Sequence, residues 1–215
     1  MGKLLKKELR LALHPTAPIF LLLSSMLMIP NYPYLVVFFY TELAVYFTCM
    51  TGRENHDIDF TMLLPVAKHD VVRARMLVVA LLEIAQLILA VPFAWLRQTL
   101  IPEPNAAGMD ANVALMALAL VQMGLFNAVY FRMYYKNVRR VGISFLCGSA
   151  VTFLYIIVVE VSAHTVPFVR DVLDTPDPTH IAPKLLMLLI GAALFALLTW
   201  LTCRSAEKSF EKQDL

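Results

Sequence analysis

The sequence predicts an all-α, polytopic membrane protein with six transmembrane helices and an N-terminal amphipathic helix lying in the membrane interface. Two observations carry that prediction. Hydrophobic residues make up 60% of the 215-residue chain and the mean hydropathy is +0.69, more apolar surface than a soluble domain of this length can bury. The chain also holds 18 Lys and Arg residues, and a six-span reading puts nearly all of them on one side. Lys3, Lys6, Lys7, Arg10, Arg53, Lys68, Arg73, Arg75, Arg132, Lys136, Arg139, Arg140, Arg204, Lys208 and Lys212 share that side. Only Arg97, Arg170 and Lys184 lie opposite. Translocating positive charge is costly, so the basic side is expected to be cytoplasmic, with both termini on it.

The elements follow in order. Residues 3–13 place Leu4, Leu5, Leu9, Ala12 and Leu13 on one helical face, with Lys3, Lys6, Lys7 and Arg10 over the remainder. That is the pattern of an interfacial helix. Pro15 and Pro18 predict a bend after it. The first span is Pro15 to Pro30, short against the roughly 20 residues a crossing needs, and the second is Pro33 to Thr51. The third runs from Met76 to Trp95, with Pro92 near its outer end. The fourth is Ala111 to Phe131, the fifth Val141 to Ala163 and the sixth Lys184 to Cys203, followed by a cytoplasmic tail over 204–215. Tyr32 and Tyr34 suit an outer aromatic belt, and Tyr130, Tyr134, Tyr135 and Trp200 an inner one. The external loops are too short for a folded ectodomain, so residues 1–215 read as one transmembrane domain. No A-x-A site follows the first apolar stretch, which argues against a cleaved signal.

Several chemistries are disfavoured. There is no G-x-x-x-x-G-K-[ST] for ATP, and no H-E-x-x-H or G-x-S-x-G for hydrolysis. Cys49, Cys147 and Cys203 show no CxxC spacing and read as packing residues. The Asp171, Asp174, Asp177 and His180 group reads as a solvated acidic loop rather than a metal site, and no metal is expected. There is no polar domain with a basic face for nucleic acid.

The longest cytoplasmic loop, Gly52 to Arg75, is too apolar for a plain connector. An acidic stretch leads into Phe60-Thr61-Met62-Leu63-Leu64, Pro65 breaks the helix, and a second helix begins near Lys68 or Asp70, with Asp70 as its N-cap. The apolar run must pack on the membrane, on this chain or on a partner. Glu54, then Leu63-Leu64-Pro65-Val66, a basic residue, and Asp70-Val71-Val72-x-Ala74-Arg75 resemble the cytoplasmic signature of type-2 ATP-binding-cassette (ABC) permeases, compact six-span exporters without an extracellular domain. Ala67-Lys68-His69 stands where Ser-Arg is common in that family.

The resemblance implies a coupling helix over Glu54 to Leu64 that docks on a separate ABC ATPase subunit. Its docking residues would be Glu54, Asp57, Ile58, Phe60, Met62, Leu63 and Leu64, and its turn Pro65, Lys68 and Asp70. It also implies a second permease copy, as a homodimer or a paralogous half. No cofactor would sit in this chain, and ATP and Mg would bind the partner ATPase. The expected location is the bacterial plasma membrane.

Glu42, Glu83, Gln86, Gln122 and Glu160 are polar groups inside spans, with Asn127 beside them. They are expected to line a translocation route or to bridge helices. Short loops and apolar spans point to an amphipathic or lipid-like cargo, and the resemblance, which is closest to compact permeases of that family that export antimicrobial or toxin peptides, implies a peptide of that kind. The alternative is an ion-coupled secondary transporter using the glutamates.

Overall fold

The computed structural model describes residues 2–213, and every regular element in it is helical. Helix α1 (Gly2–Lys7) continues as a π turn over Glu8–Ala12. Helix α2 (Ala17–Leu22) tightens into a 3₁₀ segment over Leu23–Met28. The two pieces meet at 81°, the bend that Pro15 and Pro18 predict. The stretch read as the first span is therefore a short hydrophobic element rather than one full-length helix. Five helices are long and apolar enough to cross a membrane, or six if the bent pair counts as one. They are α3 (Leu35–Glu54), α5 (Lys68–Leu100), α6 (Val113–Tyr134), α7 (Val141–Thr165) and α8 (Ile181–Glu211), with the short α4 (Asp57–Met62) between α3 and α5.

Three boundaries differ from the sequence reading. The helix beginning at Lys68 runs without a break to Leu100, 33 residues, with Pro92 inside it. Its N-cap is Ala67, and Asp70 sits within the first turn, where a carboxylate still favours the helix dipole. The stretch after Cys203 is no free tail: α8 continues to Glu211, and Ala206 and Phe210 are buried. Residues 214–215 lie outside the described residues.

Helix α6 occupies the middle of the bundle, packed mainly against α8 and α7. Close approach to α8 depends on Gly191. A Cβ there would stand 2.6 Å from the carbonyl oxygen of Ala117, a backbone atom that cannot yield. Most of the aromatic residues read as membrane-interface belts are inside instead, although Tyr32 is only partly buried. Tyr34, Tyr130, Tyr134 and Tyr135 are all buried. Tyr130, Tyr134 and Tyr135 stack with Phe126, Phe131 and Phe210 in a core at the end of the bundle that carries most of the Lys and Arg. Trp200 alone of that set keeps half its surface exposed. The outward faces of α5, α7 and α8 carry Leu, Ile, Val and Phe side chains, the surface expected against lipid or another apolar helix.

The far end is closed by polar contacts between the loops. Met109 N–H donates to Glu160 at 2.8 Å, Asp110 N–H to Asp174 at 2.6 Å and Val113 N–H to Asp177 at 3.0 Å. Lys184, fully buried, pairs with Asp177 at 2.9 Å. Gly108 lets the loop reach Glu160, because a Cβ there would fall on the carboxylate. Asp174 and Asp177 are thus partners of this loop rather than solvated acids. Burial pushes Asp174 up to about 6, against the hydrogen bond from Asp110 N–H.

Candidate functional site

The site begins at α4. Helix α3 ends at Glu54, and His56 takes a left-handed conformation (φ 51°) that turns the chain back into α4. Glu54 is therefore the last residue of a span rather than part of the docking helix. Asp57 and Asp59 occupy the first turn of α4, where the helix dipole favours acids. The helical period then separates two faces. Ile58 and Thr61 are buried and anchor α4 to the bundle. Phe60, Leu63 and Leu64 face out, with 66%, 80% and 57% of their surfaces exposed. Met62 is half-buried, and Pro65 ends the segment in the open. Beside α4 lies a cavity of about 340 Å³ lined by Gly52, Arg53, His56, Ile58, Asp59, Tyr134, Val138 and Arg139.

Asp57 is committed to the protein's own charges. Arg75, 2% exposed, donates to Glu8 at 2.8 and 3.2 Å, to Asp57 at 2.7 Å and to the Tyr134 hydroxyl at 3.3 Å. Lys7 reaches both carboxylate oxygens of Asp57, at 2.6 and 2.7 Å, and Glu8 at 3.0 Å. Two cations and two anions thus balance across α1, α4 and α5, with Tyr134 bringing in α6. Burial raises both carboxyls, but the Arg75 and Lys7 charges outweigh it and hold Glu8 and Asp57 below the usual carboxylate range. A buried charge is tolerable only when so paired.

This cluster escaped the sequence reading, which drew the buried face of the first helix as Leu4, Leu5, Leu9, Ala12 and Leu13. The observed inward row is Leu4, Glu8 and Ala12, whereas Leu9 is exposed. An acid four residues from apolar positions on either side, and an Arg between Ala74 and Met76 at the start of an apolar helix, were the available signals.

The basic end holds the start of α5 in two further ways. Arg73 donates to Glu207 of α8 at 2.7 Å, and Lys68 donates to the carbonyl of Gln213. Asp57 and Arg75 thus tie α4 to α5, and these contacts tie α5 to α8.

The polar residues of the spans fall into separate places. Glu42 accepts from Gln122 at 3.1 Å and from the Thr152 hydroxyl at 2.9 Å, and Asn127 donates to Glu83 at 2.9 and 3.0 Å. Glu42, Glu83, Gln86, Gln122 and Asn127 are completely buried between helices of one chain. Glu160 belongs to the far-end loop contacts. A groove of about 750 Å³ is apolar and lies between α5 and α8, lined by Met76, Leu77, Ile84, Phe195 and Trp200 among others. None of the five buried polar side chains lines it. Among the described residues no group of His, Cys, Asp or Glu is placed to hold a metal of the usual kind, and all three cysteines are free.

A family model described as ABC-2 family transporter protein matches residues 3–207. No curated protein and no solved structure matches the chain at a comparable level. The matched residues run from the first amphipathic helix into the last turns of α8. The chain therefore belongs to the ABC-2 family of transporters, as a multi-pass membrane permease subunit of an ABC transporter.

Proposed function

We propose that this permease is moved by a separate ATPase subunit docked on α4, and that it exports an amphipathic peptide or lipid-like cargo as one half of a homodimer or paralogous pair. The basic end, α4 included, then faces the cytoplasm, as the distribution of Lys and Arg favours. ATP and Mg belong to the ATPase. The observation that carries this reading is the pairing of an exposed apolar edge with a locked base. Phe60, Leu63 and Leu64 stand free on α4 while Asp57 at its start is bound to Arg75 of α5. Burying such a side chain is worth about 1.5–3 kcal/mol each, enough for three to anchor a groove-bound helix. The charge cluster at the base offers a rigid link, so displacement of α4 tilts α5 and α1 together instead of unwinding a loop.

The docking residues proper in this account are Phe60, Met62, Leu63 and Leu64. Ile58 and Asp57 support α4 from behind. The turn over Pro65, Lys68 and Asp70 passes the movement into α5. The test is co-purification of the ATPase subunit with wild-type chain and with Phe60→Asp and Leu63→Asp. Both substitutions should abolish capture while the chain still inserts in the membrane. Undiminished capture by both would refute docking at α4. Cargo movement that persists without any ATPase and follows a proton gradient would favour the secondary-transport reading instead.

A further inference from the structure

Two carboxylates and a set of buried oxygens without partners share the middle of the bundle. Gln86 is fully buried, and neither its amide oxygen nor its amide nitrogen has a hydrogen-bond partner. It stands one turn from Glu83 on the same face of α5. Gln122 and Asn127 use their nitrogens on Glu42 and Glu83, and their own oxygens are left buried and unpartnered, as is the hydroxyl of the neighbouring Thr41. Buried polar atoms left over in this way call for an explanation, and a bound ion or proton is one. None of the ion pairs among the described residues includes Glu42 or Glu83. Bare anions at this depth are costly.

We propose that Glu42 and Glu83, with the side-chain oxygens of Gln86, Gln122 and Asn127, form a small-cation site at the centre of the bundle, filled by protons or by an alkali-metal ion. The oxygen donors are hard, which suits both and disfavours soft metals. Thr152 extends the contacts from α3, α5 and α6 to α7, so the bound cation holds four helices in register. The other charged groups of these elements lie toward the ends. Other titratable groups stand closer: on α3, Tyr40 and Tyr46 are two and four residues from Glu42 and Cys49 is seven, and on α6, Tyr130 is three residues from Asn127. On α5 the flanking cations are Arg75 and Arg97, two turns or more away in either direction, and on α7 the nearest are Tyr155, Cys147 and Glu160. On α8, packed behind α6, Lys184 and Arg204 stand near the two ends. The proposal goes beyond docking at α4 and does not depend on it.

The test uses the full chain in lipid vesicles, comparing wild type with Glu42→Gln, Glu83→Gln and the double variant, and with Glu160→Gln as a control outside the cluster. Infrared spectra report neutral carboxyl groups, and melting is followed against pH in NaCl, KCl or choline chloride. Proton occupancy predicts a neutral-carboxyl band at pH 7 that shrinks in each cluster variant and more in the double variant, beyond any change in the control. It also predicts wild-type melting that falls as pH rises, relative to the double variant. Alkali-ion occupancy predicts no such band, but wild-type melting raised by NaCl or KCl over choline chloride, with the shift lost in the double variant. A band and a salt response that are both absent, or both unchanged in the variants, overturn the site. The single variants keep the test decisive if the double variant does not fold.

Discussion

Replacing Arg75 by Met tests the charge cluster that joins α1, α4 and α5. The side chain is 2% exposed and holds the carboxylates of Glu8 and Asp57, at 2.8 and 2.7 Å. Its loss leaves Glu8, 3% exposed, with Lys7 as its remaining cation, itself shared with Asp57 and 21% exposed. Removing one partner of a buried pair costs about 3–5 kcal/mol. Because Lys7 partly compensates, the lower end applies, about 3 kcal/mol. For a chain of this size that corresponds to a fall in Tm of roughly 6–12 °C on the scale of soluble domains. Replacing both members, Glu8→Gln with Arg75→Met, removes the uncompensated charge and should restore most of the loss, since a buried ion pair exchanged for neutral groups is often close to neutral. Thermal unfolding of the purified chain in detergent supplies the four corners of the cycle. Equal losses in Arg75→Met and in the double variant would refute the pairing, as would no loss in either. A second readout follows from the geometry. Asp57 loses its tie to α5, so ATPase activity stimulated by the permease should fall even where the ATPase still binds.

Other predictions follow from the same contacts. Gly191→Val drives a side chain into the backbone of Ala117, 2.6 Å from its ideal Cβ. It should cost about 1–3 kcal/mol, seen as a lower Tm, whereas Gly142→Ala, with nothing within 4 Å, should not destabilise. Stability should respond to acid with two signs. Asp174 is held up at about 6 from an ordinary 3.8, a penalty that sets in as pH rises through that window, so Tm should increase from pH 6 toward pH 4, and Asp174→Asn should remove that limb. Glu8 and Asp57 are held below their ordinary 4.5 and 3.8, so their contribution is present above those values and lost as pH falls through the lower folded values. Glu8→Gln should soften that acid limb. Ile58→Ala should lower Tm by truncating the anchor of α4, at about 2–5 kcal/mol, while Leu63→Ala, on the exposed edge, should leave Tm within error.

Hydropathy and charge placement made the helical membrane fold legible, because lipid forces long apolar helices and insertion penalises translocated cations. Pro15 and Pro18 announced the bend between α1 and α2, and the apolar run 60–64 announced a surface in need of a partner. What stayed hidden depended on which way side chains point. The π turn at Glu8–Ala12 rotates Leu9 outward and Glu8 inward, which a regular 3.6-residue period does not anticipate. The tyrosines at 130, 134 and 135 suited an interface by composition, yet a core of stacked rings took them in. Asp57 read as a docking residue and Asp70 as an N-cap, and the fold gives each a different place. Asp57 meets Arg75, whereas Asp70 sits in the first turn of α5, 3.5 Å from the ring of His69. Lys184 and Asp177 are seven residues apart across a loop, too irregular for a spacing rule.

What the free edge of α4 touches in the working transporter decides whether α4 is a docking element. A photo-crosslinking amino acid placed at Leu63 in the assembled complex reports that neighbour directly. The expected product is a covalent adduct with the ATP-hydrolysing subunit, absent when the same group replaces Ile58. Adducts only with lipid, or only with another segment of this chain, would contradict the docking role.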